Sequence, residues 1–314
     1  MNPNRVPTIE LGGTHVAVAV VDTTARAIVD GTYLTSPLNS GGRADAILEH
    51  IAAAARTLGS DHDGRWAVAV PGPFDFDAGI ARYSDVGKFD SLYGVDLRAR
   101  LADDLDADAT SLTFVNDADA FALGEYAAGA ARGLSRFCCV TLGTGVGSGW
   151  VVDGERTDGA APEGELHLVE FEGQRIEARM SRRAIRAAYA ERTRSAPNAP
   201  TVPDVKEIAE LARGGDPIAR EVLDDAFSFL GRALGGRLAQ FGADALIVGG
   251  TIARSWDLLE PPLSAGIGRA GFPVLRAELD HEAPMIGAAF AAGGTTRRAA
   301  TPSRRLVSPS IVAE

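Results

Sequence analysis

Two stretches of this chain follow one design, a strand, a glycine turn and a second strand, and that repetition constrains the fold more than any other feature. The first runs from Val6 to Leu11, turns at Gly12-Gly13-Thr14 and returns over Val16 to Val21. The second lies about 130 residues further on. It comprises Phe137 to Leu142, the turn Gly143-Thr144-Gly145-Val146-Gly147-Ser148-Gly149, and Trp150 to Val152. Sequence identity between them is slight, but the shared order points to an internal duplication and so to two α/β units. The length agrees, because 314 residues exceed what a single core usually holds. A strand follows each turn, so neither is the dinucleotide fingerprint or the Walker A loop, both of which open a helix.

Apolar spacing predicts helices over Ala44 to Leu58, Leu97 to Leu105, Ala118 to Ala130, Ile176 to Arg192, Val205 to Ala212, Ile218 to Gln240 and Met285 to Ala292. Further strands are expected at Ala27 to Leu34, Trp66 to Val70, Leu112 to Asn116 and Ala245 to Val248, the last running into Gly249-Gly250. Ser195 to Pro203 is a Pro-rich linker, and Thr295 to Glu314 is an aperiodic tail.

Composition excludes several classes. No apolar run approaches the roughly 18 residues a membrane span needs, and MNPNRVPTIE is not a secretory signal. A cytoplasmic protein is expected. Cys138 and Cys139 are adjacent, so they make no disulfide framework, and they cannot supply a four-ligand structural zinc site. A net charge of −11 disfavours a nucleic-acid-coating protein. It leaves phosphate ligands open, because local backbone amides bind phosphate whatever the global charge.

Glu10-Leu11-Gly12-Gly13-Thr14 sets a carboxylate before residues whose bare backbone lets N–H groups approach a phosphate. Glu10 is a candidate for holding Mg²⁺ through water. The alternative is an ordinary hairpin turn for the first loop and a glycine-rich bulge for the second. Asn116-Asp117-Ala118-Asp119 stands where a strand becomes a helix. Asp117 either caps that helix or acts as a general base at the mouth of a cleft, with Asp119 the better helix-start residue. His167 lies among Glu163, Glu165, Glu170 and Glu172, a cluster better suited to a polyol than to zinc.

Taken together, ELGGTH at 10–15, PGP at 71–73, NDADAFALGE at 116–125, LGTGVGSG at 142–149 and IVGGTIA at 247–253 resemble the ROK family of sugar kinases and related regulators. The likeness spans nearly the whole chain. It implies two ribonuclease-H-like α/β domains, as in actin and Hsp70 ATPases, around a cleft. Residues 1–116 with 286–296 would form the smaller domain, 117–285 the larger, and 297–314 the tail. The resemblance places Gly12, Gly13 and Thr14 in a first phosphate loop, Thr144, Gly145 and Gly147 in a second, and Gly249 and Gly250 beside adenosine. Gly72, Asn116, Asp117, His167 and Glu177 would bind sugar, with Asp117 taking the 6-hydroxyl proton from a hexose as ATP and Mg²⁺ supply the phosphoryl group. The family's upstream glutamate falls on Glu165 or Glu163, with Glu165 preferred. A homodimer is implied, the helix around Ala226 to Phe241 serving either an interface or the core.

Departures from the family pattern are specific. Glu10 replaces the usual Asp. The Cys-rich zinc loop is absent, as in polyphosphate glucokinases of the same family, which makes polyphosphate the alternative donor. Asp85 stands where many members carry Asn. A carboxylate pairs with an ammonium more strongly than with a hydroxyl, so either kanosamine (3-amino-3-deoxyglucose) or glucose is the expected acceptor. A sugar-responsive regulator is disfavoured, because only nine residues precede Glu10 and two DNA-binding helices do not fit there.

Overall fold

The computed structural model describes residues 2–84, 86–157, 165–194, 202–268 and 272–293. Asp85, Glu163, most of the Pro-rich linker and the C-terminal tail lie outside the described residues.

The duplicated design is present as two sheets. In the first, β1 (Arg5–Leu11) pairs antiparallel with β2 (His15–Asp22) in the register Leu11↔Val16. Short strands β3 (Ala27–Ile28) and β4 (Leu34–Pro37) both pair with β2. The single strand expected over Ala27 to Leu34 is therefore two, separated at Gly31, whose φ of +77° turns the chain. After α1 (Ala44–Arg56) comes β5 (Trp66–Val70), parallel to β1. A small hairpin, β6 (Phe74–Asp75) and β7 (Ile80–Ala81), and α2 (Leu97–Asp104) precede β8 (Leu112–Asn116), which is parallel to β5. Helix α3 (Asp117–Ala128) leaves that strand end directly.

The second sheet repeats the hairpin with β9 (Arg136–Leu142) and β10 (Val146–Val152), extended by β11 (Glu155–Arg156). The turn is confined to residues 143–145, and Val146 to Gly149 are already strand. A minor hairpin follows, β12 (Glu170–Phe171) with β13 (Gln174–Arg175). The helix expected over Ile176 to Arg192 divides into α4 (Glu177–Met180) and α5 (Arg182–Arg192). Ser181 divides them because its backbone is extended and its hydroxyl caps α5 at the Ala184 N–H. Then come α6 (Val205–Arg213), opened by an Asp204/Glu207 capping box, and α7 (Pro217–Phe241). Strand β14 (Ala245–Gly249) lies parallel to β9, and β15 (Val274–Arg276) parallel to β14. Helix α8 (Trp256–Ile267) separates these two, and α9 (Ala283–Gly293) closes the described chain. Among the described residues no helix is long and apolar enough to cross a membrane.

Strand alternation sorts the side chains into layers. Ile9, Val16, Val18, Val68 and Val70 join the core under α1 and α2. The opposite face carries smaller residues, Ala17, Ala19, Ala67 and Ala69, against α9. In the second sheet, Cys138, Val140, Leu246 and Val248 face the core of α5 to α8, whereas Phe137, Cys139 and Ile247 pack on the α3 side. The two cysteines thus point to opposite faces, both are fully buried, and burial raises both thiols. Leu230, Leu234 and Leu238 of α7 belong to the internal core.

Helices α3 and α9 form the middle layer and contribute to cores on both sides. Their backbones touch. A Cβ at Gly287 would meet the Ala120 carbonyl, and one at Gly124 would meet the Ala283 carbonyl. Gly287→Ala should therefore lower the melting temperature by several degrees, a cost of roughly 1–3 kcal/mol from overpacking. Gly236, within α7 and open on all sides, is the control. There Ala should be neutral or stabilising by about 0.5–1 kcal/mol from helix propensity.

Candidate active site

The parallel strands β1, β5 and β8 all end at one edge of the first sheet. Glu10, Pro71-Gly72-Pro73 and Asn116-Asp117 sit at those ends. Ligands bind at such carboxyl edges, where loops diverge and helix N-termini point outward. The corresponding edge of the second sheet carries the 143–145 turn and Gly249-Gly250. At Gly250 φ is +86°, and a side chain there would collide with the Leu142 backbone. Helix α3 joins the two edges. It starts from β8, and its first turn packs on β10, where Cβ atoms at Gly147 and Gly149 would approach Ala118 within 2.9 and 2.7 Å. Gly147 therefore has a packing reason to lack a side chain. Gly249 has one too, since a Cβ there would strike the Phe121 ring.

The helix cap is Asn116. Its Oδ1 accepts from the N–H groups of Ala118 and Asp119 at 3.0 and 3.3 Å, leaving its amide NH₂ as a donor. Asp119, the expected helix-start residue, lies in the first turn of α3 and also sits 3.4 Å from Arg156. Asp117 accepts from the Ala118 N–H at 2.9 Å. Burial raises its pKa above the ordinary carboxylate range, opposed first by the Lys88 ammonium, then by backbone N–H groups and His167. Glu10 is pushed up to about 7, chiefly by burial and secondarily by the charge of Asp117. Both residues keep part of their surface open, which is the condition of groups in a crevice.

Other predicted residues gather around this pair. His167 Nδ1 is 3.1 Å from Glu165 Oε2. The same carboxylate closes over Gly72, where a Cβ would lie 2.8 Å from Glu165 Oε1. Glu177, first residue of α4, stands over the second turn, 2.6 Å from the Cβ position of Gly145. Gly12 is covered by the His15 ring, and Gly13 by the Lys88 stem at 3.5 Å. Thr14 and Thr144 are exposed at the tips of their turns. Behind the Pro71 loop, the buried Tyr83 hydroxyl donates to the Pro71 carbonyl at 3.0 Å. Asp85 and Glu163 lie outside the described residues.

Sequence reasoning missed two groups. Lys88 was given no catalytic or binding role, yet its stem covers Gly13 and its charge favours the Asp117 carboxylate. Glu125 is fully buried, and its carboxylate accepts from the N–H groups of Ala130, Glu278 and Leu279 at 2.7, 3.1 and 2.9 Å. It ties the end of α3 to the segment entering α9.

Comparison with known proteins identifies the family. The ROK family model matches residues 6–294, and the chain belongs to the ROK family. Glucokinase from Thermotoga maritima is 30% identical over 311 residues, covering 90% of this chain and 95% of that one. A ROK hexokinase structure from Thermus thermophilus superposes with a TM-score of 0.74 at 25% identity, over 91% of this chain and 96% of that one. A ROK glucokinase from Streptomyces griseus, in complex with glucose and AMPPNP, gives 0.76 at 24% identity over 92% and 100%. The chain is a sugar kinase with the two-domain architecture of actin and Hsp70 ATPases.

The raised Glu10 carboxyl has a sign that can be measured. Between its ordinary value of 4.5 and about 7, the folded state holds the proton more tightly than the unfolded chain does. That stabilisation is complete below about 4.5 and is lost as pH rises through 7. Glu10→Gln should melt a few degrees above the unsubstituted protein at pH 8, and the gap should close near pH 4.5. Scanning calorimetry at both pH values checks this, and equal melting temperatures at pH 8 would contradict it.

Proposed function

We propose that this sugar kinase transfers the γ-phosphoryl group of ATP to the 6-hydroxyl of a hexose, with Asp117 as general base. The observation that carries the reading is the partly exposed Asp117 at the N-terminus of α3, on the helix that joins the two sheet edges bearing the glycine turns. Phosphoryl transfer needs little covalent help from the protein. It needs alignment and a group that accepts the hydroxyl proton late in the reaction. As the hexose oxygen bonds to phosphorus, the bond to the β,γ-bridging oxygen breaks, ADP departs, and the hydroxyl proton passes to Asp117.

The parts around Asp117 divide the remaining work. Asn116 donates its free amide to the sugar, and His167 and Glu177 bind further hydroxyls. Glu165 orients His167 and covers Gly72. Gly12, Gly13, Thr14, Thr144 and Gly145 offer N–H and hydroxyl donors to the phosphates, and Gly249-Gly250 give adenosine a bare backbone to lie on. The donor set also fits Mg²⁺. Glu10 and Asp117 bring hard oxygen donors together, and the charge they withhold from solvent is what a divalent cation would offset. Among the described residues no cluster of three or more His, Cys, Asp or Glu forms a protein-only metal cage. Glu10 would therefore hold Mg²⁺ through water beside the phosphates, and the ion, when bound, neutralises phosphate charge.

We assign residues 1–116 with 286–296 to one domain and 117–285 to the other. The acceptor we propose is glucose or its 3-amino analogue kanosamine, with Asp85 as the discriminating residue. A homodimer would not use the apolar side chains of α7, which lie in the core.

Asp117→Asn should keep the fold and lower kcat by about 10³-fold or more in an ADP-release assay. A near-normal rate would remove Asp117 from the mechanism. For the acceptor, the ratio of kcat/KM for kanosamine to that for glucose should fall at least tenfold in Asp85→Asn if the carboxylate pairs with an ammonium. An unchanged ratio leaves Asp85 an ordinary hydroxyl acceptor. Turnover with polyphosphate but not ATP would replace the donor.

A further inference from the structure

The chain has 31 basic residues, and only two of them, Lys88 and Lys206, are lysines. Lys206 is exposed on α6. Lys88 is half-buried, and its stem lies 3.5 Å from the Cβ position of Gly13 in the first glycine turn. A protein that uses arginine almost everywhere keeps at this point the compact ammonium, a point charge on a flexible stem that makes no planar fork.

The backbone immediately after Lys88 is strained and anchored. Phe89 has φ +61° and ψ +14°, a left-handed conformation that costs a bulky residue energy. Such strain persists only where the surroundings over-determine it, and it concentrates at functional sites. Here the Phe89 ring is fully buried and packs on Tyr83 at 5.3 Å, and its N–H donates to the Ser40 carbonyl at 2.8 Å. Two residues on, the Ser91 hydroxyl donates to the Gly42 carbonyl at 2.7 Å. The strained, anchored residue immediately follows Lys88, whose stem lies against the first glycine turn. Of the positive groups that favour the Asp117 carboxylate, Lys88 acts most strongly.

We propose that Lys88 is a catalytic residue of the phosphoryl transfer, its ammonium contacting the transferring phosphoryl oxygens between the first glycine turn and the Asp117 carboxylate. This rests on the hexose-kinase reading above. The ammonium gives up no proton. It pairs with the equatorial oxygens while the new oxygen–phosphorus bond forms and the bond to the β,γ-bridging oxygen breaks. Preorganised positive charge at that point acts on the transition state more than on the ground state, so its removal lowers kcat rather than raising KM.

The test uses the full chain with glucose and MgATP, provided the unsubstituted protein turns over. If it phosphorylates no hexose, the reading above fails and takes this proposal with it; if it turns over, the Lys88 variants decide this proposal by themselves. Lys88→Met should lower kcat by about 100-fold or more, with both KM values within about threefold and the melting temperature unchanged. Lys88→Arg should retain an intermediate rate. Lys88→Cys offers a check independent of folding losses, because the native Cys138 and Cys139 are fully buried and only residue 88 would react with bromoethylamine. Aminoethylation rebuilds a lysine-like ammonium and should restore kcat at least tenfold. A kcat for Lys88→Met within about threefold of the unsubstituted enzyme would overturn the proposal. So would a folded Lys88→Cys enzyme that is impaired but not rescued.

Discussion

The crossing of α3 and α9 is the contact on which the rest of this structure depends. Gly124 and Gly287 remove the side chains that would otherwise hold the helices apart, so each backbone seats against the other. Alanines on the inner face of the first sheet let α9 lie close beneath it. Phe121 and Ala122 of α3 belong to the core under the second sheet. One helix pair therefore relates two sheets. Asp117, the first residue of α3, takes its position from both. Glu125 secures the far end of the same helix by accepting three backbone N–H groups, two of them from the segment that leads into α9. A buried carboxylate satisfied in this way is a rigid tie, and its loss would leave several donors unpaired.

The site follows from that arrangement. The carboxyl edges of two similar sheets meet at one helix N-terminus, and each contributes a glycine turn. Burial holds Glu10 and Asp117 reluctant to ionise, the charge of Asp117 adds to this at Glu10, and Lys88 and His167 offset it at Asp117.

Much of this was legible from the residues in order. The two hairpins could be read because each is a local pattern, alternating apolar strands around glycines. Asn116-Asp117 could be read as a strand-to-helix junction, although the capping reading fell on Asp117 and it is the Asn116 side chain that caps the helix. Other features were illegible for physical reasons. Pro261 and Pro262 hid α8, since proline is the usual signal of a helix end, yet here both lie inside it. Ser181 broke a helix whose apolar spacing ran on without interruption, because a serine caps as readily as it sits within a periodic stretch. Gly147 reads as a phosphate-loop glycine but also has a packing partner in Ala118. Glu125 has backbone partners more than 150 residues away, and no local pattern announces them. Lys88 belongs to no local motif, and its meaning depended on the strained Phe89 beside it and on Gly13 against its stem.

The most direct test of the account is a crystal structure of the protein with glucose and a non-hydrolysable ATP analogue bound together. The account predicts the sugar 6-hydroxyl within about 3 Å of the Asp117 carboxylate, with the triphosphate resting on the turns at 12–14 and 143–145. A sugar whose 6-hydroxyl points away from Asp117, or a triphosphate seated off both turns, would contradict it.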